Sequence, residues 1–104
     1  MRKYEIVRSH DDFDNIIKNG KCVKNKYYII YNKDNSLNYA RFGIAVGKKI
    51  GNAVTRNKIK RQIRSIVSNN KKLFPISKDY IIIIKKSILE VDYKTMENEI
   101  KNLL

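Results

Sequence analysis

Residues 41–67 read RFGIAVGKKIGNAVTRNKIKRQIRSIV, a segment that begins with strand-like alternation and continues with helix-like periodicity. In Arg41–Val46, large apolar residues alternate with Arg41, Gly43 and Ala45, which predicts a β-strand with one nearly flat face. After the next loop, apolar residues recur at intervals of three and four, as they do on one face of an amphipathic helix. The segment therefore predicts a strand, a loop and a helix in immediate succession.

The predicted helix follows a basic loop, Gly47–Asn52, and has two distinct faces. Its apolar face consists of Ile59, Ile63, Ile66 and Val67. On a helical wheel the opposite face carries four polar side chains within about 100° of one another, namely Asn57, Lys60, Arg61 and Arg64. With Arg56 at the helix start, three of the six arginines of the chain fall within nine residues. Because a guanidinium can bind two phosphate oxygens or stack on a base, this pattern favours nucleic-acid binding over a merely solvated face.

Upstream of this segment, the sequence predicts a short helix and paired strands. Ser9, followed by acidic residues in the first turn, indicates a helix that starts there and ends at Gly20. Lys21–Tyr31 has β-like composition, and Asn32–Asn38 is typical of a turn between strands.

Downstream of the basic helix, the sequence predicts one more strand and one more helix. The strand is the isoleucine-rich run Asp79–Lys86, and the helix starts at Asp92. The apolar stripe of this last helix consists of Tyr93, Met96, Ile100, Leu103 and Leu104. The element order αβββαβα predicts an α+β fold, a two-layer α/β sandwich that forms a single domain over residues 1–104.

The distribution of charge indicates the class of partner. The chain carries 23 Lys and Arg residues against 10 Asp and Glu residues, a net charge of +13. Between Asp34 and Asp79, 44 residues contain 11 Lys and Arg residues and no acid. Such a surface fits a polyanion, either nucleic acid or an anionic membrane. The membrane is the less favoured partner because the apolar face of the basic helix is needed for the core.

The remaining composition excludes several kinds of chemistry. Cys22 and His10 are each the only residue of their type, which excludes an internal disulfide and makes a histidine metal cluster or a catalytic triad improbable. The first residues lack the pattern of a secretory signal, and the longest apolar run, Tyr80–Ile84, is too short to span a bilayer. We expect a protein of the reducing cytoplasm.

A possible groove for single-stranded nucleic acid lies on the outward face of the sheet. If Tyr28 and Ile30 face the core, alternation turns Tyr27 and Tyr31 outward, beside the flat face of the neighbouring strand. Phe13 of the first helix would close one wall, although a lone phenylalanine on a short helix is more often a core residue. Bases can stack on such rings without sequence readout.

The basic helix and its loop closely resemble the signature of a known family. Lys48–Arg64 is similar to the pattern K-x-G-x-A-V-x-R-N-x-x-K-R-x-x-R of the protein subunit of bacterial ribonuclease P, whose Arg-Asn start names the RNR motif. The matching residues are Lys49, Gly51, Ala53, Val54, Arg56, Asn57, Lys60, Arg61 and Arg64. The Asp12-Phe13 pair and the strands on either side of the motif agree as well.

The resemblance implies a ribosomal-protein-like sandwich with a left-handed βαβ crossover. It implies that the protein binds a large catalytic RNA, which removes the 5′ leader of precursor tRNA with Mg²⁺ ions held mainly by the RNA. No catalytic residue and no metal ligand are then expected in the protein alone. The expected partners are ribonuclease P RNA and precursor tRNA, with no membrane and no obligate protein partner.

The resemblance also implies two contact surfaces. The ribozyme would be bound through Lys48, Lys49, Arg56, Asn57, Lys60, Arg61 and Arg64. The leader would lie in a cleft between the first helix and the sheet, lined by Phe13, Ile17, Tyr27 and Tyr31. One departure is Ile17, which stands where family members often carry a second aromatic residue. Many members also have longer basic ends than this chain.

Two other functions stay open on the residues alone. A ribosomal or other structural RNA-binding protein would have the same basic sandwich, and only the frame of the RNR motif separates the two. A protein nuclease is disfavoured because the basic region contains no carboxylate, and the acids near His10 are the only cluster that could hold catalytic metal ions.

Overall fold

A computed structural model describes residues 1–104, which form three α-helices and one four-stranded sheet. The helices are α1 (His10–Asn19), α2 (Ala53–Asn69) and α3 (Tyr93–Lys101). The strands are β1 (Lys21–Lys24), β2 (Tyr28–Asp34), β3 (Arg41–Val46) and β4 (Lys78–Ile84). The predicted order αβββαβα is confirmed, as is the α+β fold class.

The strands lie in the spatial order β1-β2-β4-β3. β1 pairs with β2 and β2 with β4 in the antiparallel sense, whereas β3 and β4 are parallel and are connected by α2. β4 is therefore central, which explains why Ile81, Ile82 and Ile84 of its isoleucine run are buried, while Ile83 is half-buried.

Two apolar clusters lie on opposite faces of the sheet. The larger one joins the sheet to α2 and α3 and includes Tyr28, Ile63, Ile82 and Ile100, each fully buried. A smaller cluster of Val7, Ile16 and Ile81 lies under α1 on the other face. Because α1 crosses only part of this second face, the rest of it stays open to solvent.

Each helix begins at a side-chain cap. Ser9 Oγ accepts a hydrogen bond from the backbone N–H of Asp12, and Asp92 Oδ1 accepts one from Thr95, as the sequence predicts for α1 and α3. Asn52, which the sequence places in the basic loop, caps α2 by accepting from Thr55 N–H at 2.9 Å. The basic helix therefore starts at Ala53, and Arg56 lies inside its first turn and a half.

Three sequence-based expectations need correction. Asn32–Asn38 is not all turn, since β2 continues to Asp34 by pairing with Lys78 at the start of β4. β4 ends at Ile84 because Lys85 leads into a 3₁₀ turn. In α3, Met96 and Ile100 are buried as expected, but Tyr93 and Leu104 lie at the exposed rim. None of the helices has the length and apolar character that a membrane span requires.

Candidate nucleic-acid interface

The α2 helix presents its basic side chains outward because its apolar stripe is held by the core. Ile59, Ile63, Ile66 and Val67 are all at most 3% exposed. On the other side of the helix Asn57, Arg61 and Arg64 are exposed, and Lys60 is half-buried at the flank. The two faces expected from the wheel are therefore present on this helix.

The predicted ribozyme-binding side chains have no partners within the chain. None of the seven, which include Lys48 and Lys49 in the preceding 3₁₀ turn, forms an ion pair or a side-chain hydrogen bond. Three cations outside this set form ion pairs: Arg41 pairs with Asp79, Lys71 with Glu5 and Lys78 with Asp34. The α2 face therefore combines high positive charge with donors that are free to bind an anion.

Arg56 differs from the other basic residues of this face. It is half-buried, and its Nε is buried without any hydrogen-bond acceptor. A buried donor that lacks an acceptor costs about 1–3 kcal/mol. The guanidinium of Arg56 is therefore the member of the set whose conformation in the free protein is least favourable.

The second face of the sheet differs from its predicted form at Gly43. A Cβ atom placed on Gly43 would lie 2.5 Å from Phe13 Cζ and 2.8 Å from Ile81 Cδ1. Phe13 therefore packs directly on Gly43 and is half-buried, and the predicted flat floor at this residue is occupied by a side chain of α1. Glycine is required here because its missing side chain makes room for the phenylalanine ring.

The open part of this face is the next row of residues on the same side of the sheet, two positions along each strand from the row that contains Gly43. Strand pairing aligns Lys24 of β1 with Ile29 of β2, Ile29 with Ile83 of β4, and Ile83 with Ala45 of β3. Ile29, Ile83 and Ala45 are each half-buried, and Lys24 is exposed. This row, which we call the cleft floor, forms an apolar strip beside α1 with a lysine at one end.

The predicted wall residues are brought together except for Tyr27. Phe13, Ile17 and Tyr31 are half-buried and pack against the small cluster under α1. Tyr27 precedes β2 in a turn where Asn25 Oδ1 accepts hydrogen bonds from the N–H groups of Tyr27 and Tyr28, and it packs against the large cluster instead. Strand alternation does not extend to Tyr27 because the turn interrupts the strand before it.

Sequence reasoning missed two lysines at the end of the cleft floor. Lys85 and Lys86 follow β4 directly, and together with Lys48 and Lys49 they line a surface depression of about 610 Å³ with Ile83 and Ile84 at its base. The carboxyl ends of parallel strands lie at one edge of a sheet, so a lysine pair after each of two parallel strands was a usable signal. The parallel pairing of β3 and β4 had to be recognised first.

An ion-pair network holds α1 against the opposite end of β3. Arg41 donates to both carboxylate oxygens of Asp79, at 2.8 and 2.6 Å, and its guanidinium lies 3.8 Å from Asp12 of α1. Burial would raise the pKa of Asp79, but hydrogen bonds from Arg41 and Asn35 outweigh it and hold that pKa below its ordinary value. Asp79 is therefore ionised at neutral pH and serves to position Arg41.

The acidic residues do not form a metal site. No group of three or more His, Cys, Asp and Glu side chains is arranged to hold an ion. The buried carboxylates Asp79 and Glu5 are already bound by Arg41 and Lys71 respectively. The donor set of this chain does not fit a catalytic magnesium centre.

Known protein sequences include relatives that match this chain over its full length. The model of the Ribonuclease P family matches residues 1–104. The chain is 45% identical over 105 residues to the ribonuclease P protein component of Mycoplasma mycoides subsp. mycoides, a match that covers 100% of this chain and 96% of the relative. It is 40% identical over 104 residues to the component of Streptococcus pneumoniae, covering 100% of this chain and 82% of the relative.

Solved structures match the fold over nearly the whole chain. The ribonuclease P protein of Thermotoga maritima superposes with a TM-score of 0.88 at 36% identity, covering 96% of this chain and 94% of that one. A mutant of the Staphylococcus aureus ribonuclease P protein, described as defective in mRNA degradation activity, superposes with a TM-score of 0.91 at 34% identity, covering 98% and 86%.

Proposed function

Because this chain belongs to the bacterial ribonuclease P protein family, we propose that its two surfaces bind different RNAs. As a member of that family, the chain acts in tRNA 5′ maturation as the protein subunit bound to ribonuclease P RNA. The basic face of α2 binds the ribonuclease P RNA. The open sheet face beside α1 binds the 5′ leader of precursor tRNA. A cytoplasmic location accords with both RNA partners.

The observation that carries the first assignment is the absence of internal partners for the basic residues of α2. An arginine that is already paired with a carboxylate must break that pair before it binds phosphate, whereas Arg61 and Arg64 are exposed and free. Arg56, whose buried Nε has no acceptor, gains one if its guanidinium turns outward to the RNA. These side chains can thus bind RNA phosphates without breaking an ion pair within the folded protein.

The second assignment rests on the shape and chemistry of the cleft floor. Phe13 and Tyr31 offer half-exposed rings at one side of an apolar strip, and the lysine cluster of Lys48, Lys49, Lys85 and Lys86 lies at the end of that strip. A single strand can stack bases on rings while its phosphates reach lysines, with no base edge being read. We therefore extend the proposed leader path from Tyr31 along the cleft floor to this cluster.

The protein contributes binding and orientation to the reaction. We propose that Mg²⁺ is held by the RNA and supplies the hydrolytic chemistry there, which accords with the missing metal-ligand cluster in the chain. The cationic α2 face offsets repulsion between RNA phosphates, and the cleft holds the leader in one direction relative to the cleavage site. The alternative of a ribosomal protein is disfavoured by the family match over the whole chain.

Truncation of Tyr31 tests the leader assignment. Tyr31→Ala removes one stacking surface, so affinity for precursor tRNA should fall by about 1–3 kcal/mol, the usual loss for one stacked base. Affinity of the holoenzyme for mature tRNA, which has no leader, should stay unchanged. The measurement is equilibrium binding of both tRNAs to the reconstituted complex.

Tyr27→Ala is the matched control, since Tyr27 lies in the turn before β2 and packs on the large cluster. The Tyr27→Ala variant should keep the original ratio of affinities for precursor and mature tRNA. Thermal melts of both variants establish that they are folded. Equal losses for precursor and mature tRNA in folded Tyr31→Ala would show that the sheet face is not the leader site.

A further inference from the structure

The first eight residues extend the molecule along the outer edge of β3. Ile6 forms a parallel bridge with Phe42, and the N–H of Val7 donates to the Phe42 carbonyl at 2.8 Å. At the start of the segment, the α-amino group of Met1 donates to Ser68 Oγ of α2 at 3.2 Å. The segment is thus attached at one end to α2 and at the other to the sheet.

This attachment places the N-terminal segment next to the proposed ribozyme-binding face. Ser68 follows Arg64 by four residues, about one helical turn or 6 Å along the helix. Arg2 and Lys3 come directly after Met1 and are exposed, and neither forms an ion pair. The positive surface of α2 therefore continues from Arg64 onto the N-terminal segment.

The only acid of the segment is removed from this surface. Glu5 is 8% exposed, accepts a hydrogen bond from Arg2 N–H and lies 2.7 Å from Lys71 Nζ. Burial would raise the pKa of Glu5, but the bonds from Lys71 and Arg2 outweigh it and keep that pKa below its ordinary value. Its charge is thus neutralised inside the protein, and what the segment presents to solvent is positive.

At the end of this positive surface lies an aromatic pair that belongs to neither apolar cluster. The ring of Tyr4 packs edge-to-face on Tyr39, with centroids 4.9 Å apart and planes at 77°. Tyr4 is 55% exposed, the most exposed aromatic side chain of the molecule, and Tyr39 is half-buried. Tyr39 therefore contacts part of the Tyr4 ring, and more than half of the Tyr4 residue surface stays accessible to solvent.

We propose that the Tyr4–Tyr39 pair is a stacking site for an unpaired nucleotide of the same RNA that α2 binds. The inference rests on the proposed function of the α2 face. A base can stack on the free surface of the Tyr4 ring, while Arg2 and Lys3 bind the adjoining phosphates. RNA is favoured over a protein partner because the surface that leads to this pair is cationic and without an exposed acid.

The chain contains no tryptophan, so a single substitution creates a reporter at this position. Tyr4→Trp keeps an aromatic surface and introduces the only indole. Titration with ribonuclease P RNA should quench its fluorescence, because stacking brings a base against the indole. Leu104→Trp is the control: Leu104 is also exposed, and it borders residues of β1, β2 and β4 and none of α2, so its signal should stay unchanged.

Binding measurements on two further variants separate stacking from other roles of Tyr4. Tyr4→Ala should lower affinity for ribonuclease P RNA about 5- to 30-fold, within the range for base stacking on a ring. Tyr4→Phe should retain the affinity, because the hydroxyl is not required. The Tyr4→Ala defect should persist at high salt, because stacking of a base on a tyrosine ring does not depend on a charge that salt can screen.

The outcomes distinguish this site from the surface on which it depends. If Arg64→Lys weakens binding while Tyr4→Trp is not quenched and Tyr4→Ala binds normally, the stacking site is wrong and the α2 face stands. If neither Arg64 nor Tyr4 variants change RNA affinity, both assignments are wrong. A Tyr4→Trp signal that changes with protein concentration and not with RNA identifies a contact between copies of the chain and overturns the proposal.

Discussion

At the scale of single residues, arginine and lysine have different roles in this protein. Arg56, Arg61 and Arg64 lie in one half of α2 without internal partners, whereas Arg41 is the residue that forms the bidentate pair with Asp79. Lysines are spread over the whole surface. A lysine contributes charge to RNA binding, and an arginine adds a planar fork that fixes geometry.

Arg61→Lys and Arg64→Lys keep the charge and remove the fork. Each should weaken binding to ribonuclease P RNA by about 1–3 kcal/mol, as expected for the loss of charge-assisted hydrogen bonds. Filter binding over a range of salt concentrations measures the effect. The dependence of log affinity on log salt should keep its slope, because the number of cations that can neutralise phosphates is unchanged.

Lys72→Ala and Lys101→Ala are suitable controls, since both side chains are exposed and outside the basic face of α2. Lys71 is unsuitable because it binds the buried carboxylate of Glu5. Losses at Lys72 and Lys101 as large as those at the two arginines would mean that net charge alone determines binding.

At the scale of elements, the position of α1 determines the shape of the cleft. Ser9 caps the helix, and Asp12 lies near Arg41 of β3. Phe13, the next residue of α1, packs onto Gly43, two residues further along β3. Ile16 is buried in the small cluster at 1% exposure. Ionic and apolar contacts together hold one side of α1 to the sheet, and the open side borders the cleft floor.

Gly43→Ala tests this packing directly. The new methyl group would overlap Phe13, whose ring is half-buried and able to swing away. We expect a stability loss of about 1–3 kcal/mol, as for other overpacked sites, and a selective loss of affinity for precursor tRNA. Thermal melts and binding to precursor and mature tRNA measure the two effects.

Gly47→Ala is the matched control at the other end of β3, because a Cβ atom there meets nothing within 4 Å. It should leave stability unchanged, which would show that the loss in Gly43→Ala comes from the overlap with Phe13 and not from replacing a glycine as such. A Gly43→Ala protein could be destabilised and still prefer precursor over mature tRNA by the original factor. That result would show that the packing of Phe13 on Gly43 is not required for leader binding.

At the scale of the whole molecule, charge is divided between structural and binding roles. The buried acids Glu5 and Asp79 are paired and stabilise the N-terminal segment and α1, while the 44 residues between Asp34 and Asp79 carry cations only. α2 belongs to this acid-free part, and so do the lysines next to β3. This division accords with the proposal that the protein binds RNA through two surfaces.

The protein alone should therefore leave precursor tRNA intact. Adding it to ribonuclease P RNA at low Mg²⁺ should increase the rate of cleavage at the mature 5′ end, because the cations replace part of the ionic requirement of the RNA. Gel analysis of end-labelled precursor tRNA measures both results. Site-specific cleavage by rigorously RNA-free protein would contradict the assignment of chemistry to the RNA.

Local sequence determined most of the elements and the basic face. Caps such as Ser9 and Asp92, the alternation in Arg41–Val46 and the periodicity of α2 act over a few residues, so they are visible without a fold. The match to the RNR motif indicated the family and, with it, the expected partner RNA. Element boundaries that depend on strand pairing were predicted a few residues from where they lie: the strand predicted to end at Tyr31 continues to Asp34 as β2.

Tertiary structure alone decided the form of the binding surfaces. The cleft floor of Ile29, Ile83 and Ala45 follows from how β4 pairs with β2 and β3, and the covering of Gly43 follows from the packing of α1 on the sheet. The Tyr4–Tyr39 pair likewise joins residues 35 positions apart along the chain. Local propensity cannot reveal such neighbours, because they are set by strand register and by the packing of α1, which bring together residues that are distant in sequence.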